Sequence, residues 1–210
     1  MRSLTHDIEI VADKKDRINL KELWLYRELL YYLSLRDIKV RYKQTVLGAG
    51  WAILQPLIAA TIFTLFFNRV ARISSGSSDI PYPVFAFLGI TLWNTFSGAL
   101  TGVSNSLVTK QGLITKVYFP RYIPLLSATA LSLVDLFFAS LAFAVLLILY
   151  GIMPGLPGIL IAGPAILLII VASLGVGAFF ASLNVKYRDV RTALPFIIQI
   201  LFFMTPVIYP

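Results

Sequence analysis

The chain has 210 residues, of which 58% are hydrophobic and 13% charged, and its net charge is +8. A soluble domain carries about 25% charged residues, so this composition excludes an ordinary water-soluble domain and predicts a membrane protein. The chain has no cysteine, which excludes disulfides and thiolate metal sites. The cations lie in short polar segments between apolar blocks, which is typical of membrane orientation and not of nucleic-acid binding.

The N-terminal part of the chain is polar, and we expect residues 1–19 to form a cytoplasmic tail. In residues 20–43, apolar side chains repeat at spacings of three and four: Leu23, Tyr26, Leu30 and Leu33. This pattern predicts an amphipathic helix that lies at the membrane surface and does not cross it. The helix ends in a basic cluster of Arg36, Lys39, Arg41 and Lys43.

Five apolar blocks follow in residues 44–210, each near or above the roughly 20 residues that cross a bilayer as a helix. We place the blocks at residues 47–67, 82–103, 123–150, 158–183 and 194–209. With the N-terminus inside the cell, every one of the 18 lysines and arginines except Arg69 and Arg72 falls on the inner side. The sequence therefore predicts an all-α bundle of transmembrane helices.

The second apolar block carries a polar stripe at helical spacing, formed by Thr91, Asn94, Gly98, Thr101 and Asn105. A polar stripe avoids lipid, so it faces other helices or a wet cavity. One interpretation is interhelical hydrogen bonding with close packing through Gly98 and Gly102. The other is that the stripe lines a channel, and the two are compatible.

Three further residues at membrane depth stand out, and two of them have two interpretations each. Gln55 in the first block needs a polar partner. Trp51 is either an anchor at the membrane interface or a platform on which a sugar ring stacks. Asp135, in the third block, is either a hydrogen-bonded acid that holds helices together or part of a proton relay.

Enzymatic machinery is scarce in the sequence. No P-loop pattern occurs, and no cluster of acids or histidines offers metal ligands, so we expect no metal site and no cofactor bound by this chain. The inner loop at residues 110–122 mixes cations with aromatic residues. It is either a plain positively charged loop or a docking surface for a cytoplasmic partner.

Four sequence segments resemble the permease subunits of type-2 ABC transporters, in the branch that exports O-antigen, capsule or teichoic acid. The first runs Arg36-Asp-Ile-Lys-Val-Arg-Tyr-Lys-Gln-Thr-Val-Leu-Gly-Ala-Gly-Trp-Ala-Ile-Leu-Gln-Pro56. The others are Leu113-Ile-Thr-Lys-Val-Tyr-Phe-Pro-Arg121, Leu183-Asn-Val-Lys-Tyr-Arg-Asp-Val190 and Thr205-Pro-Val-Ile-Tyr209. The resemblance runs from the surface helix to the last residue.

The resemblance implies a homodimer in a bacterial or archaeal cytoplasmic membrane, with two ATPase chains that hold ATP and Mg²⁺. Residues 23–42 correspond to an interfacial gate helix, whose cations Arg36, Lys39, Arg41 and Lys43 would attract the diphosphate of a lipid-linked glycan. The element that couples to the ATPase corresponds to residues 110–121, with Lys110, Lys116, Tyr118 and Arg121. The expected glycan path includes Trp51, Gln55, Phe63, Trp93, Asn94, Phe96 and Asp135.

Members of this family have six spans, so we expect a chain with five to be truncated before the last one. Two other functions stay open at this point. One is a permease for drug or lipid efflux, which keeps the architecture and changes the cargo. The other is a membrane transferase acting on isoprenoid-linked sugars, which would need a metal or base cluster that the sequence does not offer.

Overall fold

The computed structural model describes residues 20–43, 48, 50–66 and 80–207, and every regular element in these ranges is helical. The predicted tail, the outer loop with Arg69 and Arg72, and the outermost ends of the first and last apolar blocks lie outside this part of the chain. The helices are α1 (Leu20–Leu25), α2 (Arg27–Lys43), α3 (Gly50–Phe63), α4 (Tyr82–Thr109), α5 (Gln111–Ile114), α6 (Tyr122–Leu149), α7 (Leu156–Lys186) and α8 (Asp189–Met204). The predicted all-α class is confirmed.

Within the described residues, three helices are long and apolar enough to cross a membrane, namely α4 and α6 with 28 residues each and α7 with 31. Helix α3 continues to Phe66 as a further turn but is shorter, and α8 has 16 residues. Helices therefore form at all five predicted blocks, while membrane crossing by α3 and α8 stays a prediction. Helix α4 continues to Thr109, past the predicted end at residue 103.

Helix α4 is the centre of the bundle and contacts α3, α6, α7 and α8. Small residues permit these close approaches. A Cβ atom added at Gly177 of α7 would lie 2.7 Å from Val103 Cγ1, and one added at Gly98 would lie 3.1 Å from Ser132 Oγ of α6. One at Gly102 would lie 3.2 Å from the carbonyl oxygen of Ala128. The predicted close packing through Gly98 and Gly102 is confirmed.

The connections define two ends of the bundle. We call the end with residues 110–122 and 186–189 the basal end, and the end with residues 80–82, 150–155 and 204–207 the distal end. At the distal end the Phe87 ring stacks on Phe143, with the ring centroids 6.0 Å apart. The turn after α8 presses against α4 there, because a Cβ atom at Gly89 would lie only 2.3 Å from the carbonyl oxygen of Val207.

Helix α2 follows the first half of α6. Its Leu33 packs with Ile123 in a buried cluster, and its Tyr42 ring contacts the Phe138 ring, with the ring centroids 6.5 Å apart. Residues 123 and 138 are about 22 Å apart along an α-helix. The C-terminal end of α2 therefore runs alongside a membrane-length helix to the middle of that helix, and the place of α2 at the membrane surface stays a prediction.

Candidate functional site

A cleft of about 630 Å³, with polar groups among an otherwise apolar lining, opens between α2, α3, α4, α6 and α8. It occupies the basal half of the bundle. The neutral polar side chains on its walls are hydroxyls and amides, and they include Gln55, Asn94, Ser97, Thr101, Asn105 and Ser132. Such groups exchange hydrogen bonds with water or with a hydroxyl-rich ligand.

The polar stripe of α4 forms one wall of this cleft. All of its predicted members line the space: Thr91, Asn94, Gly98, Thr101 and Asn105. Of these, Gly98 also serves packing, since it and the neighbouring Gly102 approach α6 closely. The stripe therefore combines close packing with a lining role, because the glycines bring α6 near while Asn94 and Thr101 line the cleft. That the cleft is a channel stays a prediction.

The orientation of Asn105 is fixed by a residue that the sequence did not single out. Asn184 of α7 is buried, and its Nδ2 donates to Asn105 Oδ1 at 3.0 Å and to the Ser104 carbonyl at 3.1 Å. Asn105 Nδ2 in turn donates to the Thr101 carbonyl at 3.0 Å. The signal in the sequence is an amide directly after the apolar block that ends at residue 183.

One ion pair ties α2 to the basal end of α4. Lys110 Nζ lies 2.7 Å from Asp37 Oδ2, and it also donates a hydrogen bond to Ser127 Oγ of α6. The Lys110 side chain is only 3% exposed. Burial lowers the pKa of Lys110, while the hydrogen bond and charge of Asp37 act in the opposite direction.

Lys110 therefore does not belong to an exposed coupling surface, and that prediction is wrong. Its ammonium group is enclosed by the bundle and already holds a carboxylate and a hydroxyl. A lysine in this setting stabilises the junction of α2, α4 and α6, because removing its partner would leave a buried charge uncompensated.

A second ion pair ties the last turn of α2 to the middle of α6. Arg41 Nη2 lies 3.2 Å from Asp135 Oδ2, and the Tyr42 hydroxyl donates a hydrogen bond to Asp135 Oδ1. Burial and then the neighbouring Asp135 carboxylate raise the pKa of Tyr42. Asp135 thus acts as an acid that holds helices together, with its cationic partner supplied by α2.

The basic cluster of α2 divides between two faces. All four cations are exposed, but Arg41 lines the cleft, whereas Arg36, Lys39 and Lys43 line a separate hollow of about 500 Å³ with Tyr32, Leu35 and Val40. We call this second space the basic hollow. Arg36 also contacts Asp37 Oδ1 at 3.2 Å. The prediction that all four cations form one headgroup surface is therefore wrong for Arg41.

The predicted path aromatics lie outside the lining of the cleft. Phe63 and Trp93 both contact Phe202 of α8, with ring centroids 6.0 and 5.5 Å apart, and Trp93 also contacts Phe96 at 5.6 Å. Phe202 was not singled out from the sequence. Trp51 is half exposed and lies apart from this cluster, so both of its interpretations stay open.

The loop after α5 has a buried root and an exposed tip. Phe119 is 5% exposed and packs with Leu33 and Ile123, which fastens the loop beneath α2. Tyr118 beside it is 82% exposed, and Lys116 and Arg121 are exposed as well. A rigidly seated loop with a projecting aromatic residue has the form of a protein-binding element, although contact with a partner stays a prediction.

Comparison with known families matches residues 28–210 to the family described as ABC-2 type transporter. The chain belongs to the ABC-2 type transporter family. The match begins in the first turn of α2 and takes in the cleft, the basic hollow and the loop after α5. All the charged residues that tie α2 to the bundle thus lie within the family region.

Individual relatives of the chain are named as transport proteins. The chain is similar to an O-antigen export system permease protein RfbA of Myxococcus xanthus, with 31% identity over 193 residues that cover 91% of this chain and 72% of the relative. An RfbA of Klebsiella pneumoniae is 30% identical over 189 residues, covering 87% and 69%. A polysialic acid transport protein KpsM of Escherichia coli is 28% identical over 185 residues, covering 85% and 68%.

Proposed function

We propose that this chain is the membrane permease of an ATP-driven exporter that moves a polysaccharide across the cytoplasmic membrane. The observation that carries the proposal is the similarity, over most of the chain, to permeases named for export of O-antigen. The cleft supports it, because a wall of amides and hydroxyls suits a cargo made mostly of hydroxyl groups.

The cargo is a glycan on a lipid carrier, of the O-antigen, capsule or teichoic acid type. The exposed cations of the basic hollow attract the phosphate groups of the carrier, since lysine and arginine near a membrane surface bind anionic lipid headgroups. The glycan then moves along the cleft, past Gln55, Asn94 and Asn105. The aromatic cluster around Phe202 lies beside the cleft, outside its lining.

The partner is an ABC ATPase subunit on the cytoplasmic side, which binds ATP and Mg²⁺. It docks on the exposed tip of the loop after α5, through Lys116, Tyr118 and Arg121. Two copies of the chain form the working unit, with the basal end of each facing the cytoplasm. This orientation agrees with the positive-inside rule, because the lysines and arginines of the basal end then lie on the cytoplasmic side.

The test is complementation of a bacterial strain whose polysaccharide exporter lacks its permease. We expect surface polysaccharide only when the strain carries both this chain and its ATPase, and lipid-linked glycan should accumulate inside when either is missing. Surface polysaccharide that does not depend on the chain would overturn the proposal. Resistance to a drug, or lipid transfer, without any effect on glycan would favour efflux instead.

A further inference from the structure

Helix α2 is attached to the bundle at two places that differ in strength. At its middle, Leu33 is buried against Phe119 and Ile123, and one turn later Asp37 holds the enclosed Lys110. At its last turn, Arg41 holds Asp135, with the two side chains 50% and 25% exposed. Since water competes more with the second pair, the last turn of α2 is the weaker attachment.

The strong attachment belongs to the same rigid cluster as the loop after α5. Phe119, at the root of that loop, packs directly with Leu33 of α2, and Tyr122 donates a hydrogen bond of 3.5 Å to Glu22 in α1. A displacement of the loop therefore moves the middle of α2 with it. The exposed Tyr118 offers a place where such a force could be applied.

The weak attachment lies at the edge of the cleft. Arg41 and Asp135 both line it, so their ion pair joins one wall to another. Tyr42 adds a hydrogen bond from the same turn to the same carboxylate. Separating this turn from α6 widens the cleft at the α2 side.

We infer that the contact of Arg41 and Tyr42 with Asp135 is a latch that keeps the cleft narrow at rest. A displacement of the loop after α5 carries α2 through Phe119 and Leu33, and the contact with Asp135 breaks first because it is the more exposed. The released turn leaves α6, and the cleft opens to its cargo. The inference rests on the proposed function only for the identity of the cargo, because opening of the latch can be measured without any glycan.

The experiment measures access to the cleft. The chain has no cysteine, so Thr101→Cys places a single thiol on the cleft wall. The thiol is labelled with a membrane-impermeant maleimide in the full permease–ATPase complex without nucleotide. We expect Arg41→Gln and Asp135→Asn each to speed labelling about fivefold, as expected from the loss of a partly exposed ion pair. The matched control is Glu28→Gln, which removes an exposed carboxylate from the first turn of α2 and should leave the rate unchanged.

The charge-reversed pair Arg41→Asp with Asp135→Arg should return labelling towards the wild-type rate. Unchanged labelling in both single variants would overturn the latch, and so would a folded charge-reversed protein that labels as fast as they do. Failure of glycan export in the complementation test would instead overturn the proposed cargo and leave the labelling result standing.

A second measurement does not depend on the stability of the single variants. Arg41→Cys with Asp135→Cys, joined by a short cleavable crosslinker, fixes the last turn of α2 to α6. We expect the tether to stop export while the ATPase still hydrolyses ATP, and cleavage should return export to the level of the same variant before tethering. Full export by the tethered protein would contradict the latch.

Discussion

Asn184 and Asn105, which are 79 positions apart in the chain, are joined by a hydrogen bond of 3.0 Å between α7 and α4. Asn184 is buried on one side of this contact, and Asn105 lines the cleft on the other. The bond therefore connects the packing of the bundle to the polar wall of the site.

Asn184→Ala should lower the free energy of unfolding by about 1–3 kcal/mol, because it leaves Asn105 Oδ1 and the Ser104 carbonyl without their donor. Thermal unfolding in detergent measures the loss. Ser182→Ala is the matched control, since Ser182 is exposed and its hydroxyl bonds only within its own helix, to the Phe179 carbonyl. Equal melting temperatures for the two variants would contradict the role of Asn184.

Two glycines of α7 should respond in opposite ways to the same change. Gly177→Ala places a Cβ atom 2.7 Å from Val103 Cγ1, and we expect a loss of about 1–3 kcal/mol from overpacking. Gly175→Ala meets nothing within 4 Å and should be neutral or gain up to about 1 kcal/mol of helix propensity. Adding Val103→Ala to the Gly177 variant should restore part of the loss. Unfolding measurements on all three decide whether the α4–α7 contact is this close.

Lys110 predicts a dependence of stability on pH. Burial lowers the pKa of Lys110 below its ordinary value of 10.5, so in the intervening pH range the unfolded chain binds more protons than the folded protein. The free energy of unfolding should therefore rise with pH in that range. The difference between wild type and Lys110→Gln should grow in favour of wild type as pH approaches 10.5. Lys116→Gln, at an exposed lysine, should show no such trend, and a parallel trend in both variants would contradict the assignment.

The basic hollow should control recruitment of the lipid carrier. Replacing Arg36, Lys39 and Lys43 together by glutamine should weaken binding to vesicles that contain an isoprenoid diphosphate by about an order of magnitude or more, since each cation near a membrane contributes about 1 kcal/mol. The effect should shrink at high salt because exposed charges are screened. Arg27→Gln serves as the control, because that cation lies over the Trp24 ring and outside the hollow. Equal binding by the triple variant and wild type would remove the headgroup role.

Neighbouring residues in the loop after α5 should separate docking from folding. Tyr118→Ala should leave stability unchanged but weaken binding of the ATPase subunit, because the ring is 82% exposed. Phe119→Ala should instead cost about 3–5 kcal/mol of stability, because the ring fills a buried cluster. Co-purification measures the first effect and thermal unfolding the second. Undiminished ATPase binding by Tyr118→Ala would argue against this tip as the docking element.

The parts of the fold that the sequence predicted depend on local periodicity. Thr91, Asn94 and Asn105 could be assigned to one face because helical spacing is fixed along a single element. Gly98 and Gly102 could be assigned to a close approach for the same reason. The apolar blocks likewise predicted where helices form, because backbone groups in lipid must be satisfied within the segment.

The charged contacts could not be predicted in this way. Whether Lys110 is exposed or enclosed depends on where α2 packs, and Asp37 is 73 positions away in the sequence numbering. The pairing of Asp135 with Arg41 also needed the direction of α2 along α6. The sequence predicts one shared role for Arg41 and its basic neighbours, because charge alone does not reveal which face of a helix a side chain occupies in the assembled bundle.

The backbone just after α8 depends on the absence of a side chain at Gly89, because Val207 lies so close to that residue. The polypeptide turns there into a notch that exists only because α4 lacks a side chain at that point. A single added carbon atom would redirect the backbone after α8 without removing any attractive interaction. The route of the chain across the distal end is therefore set by vacant space in a neighbouring helix.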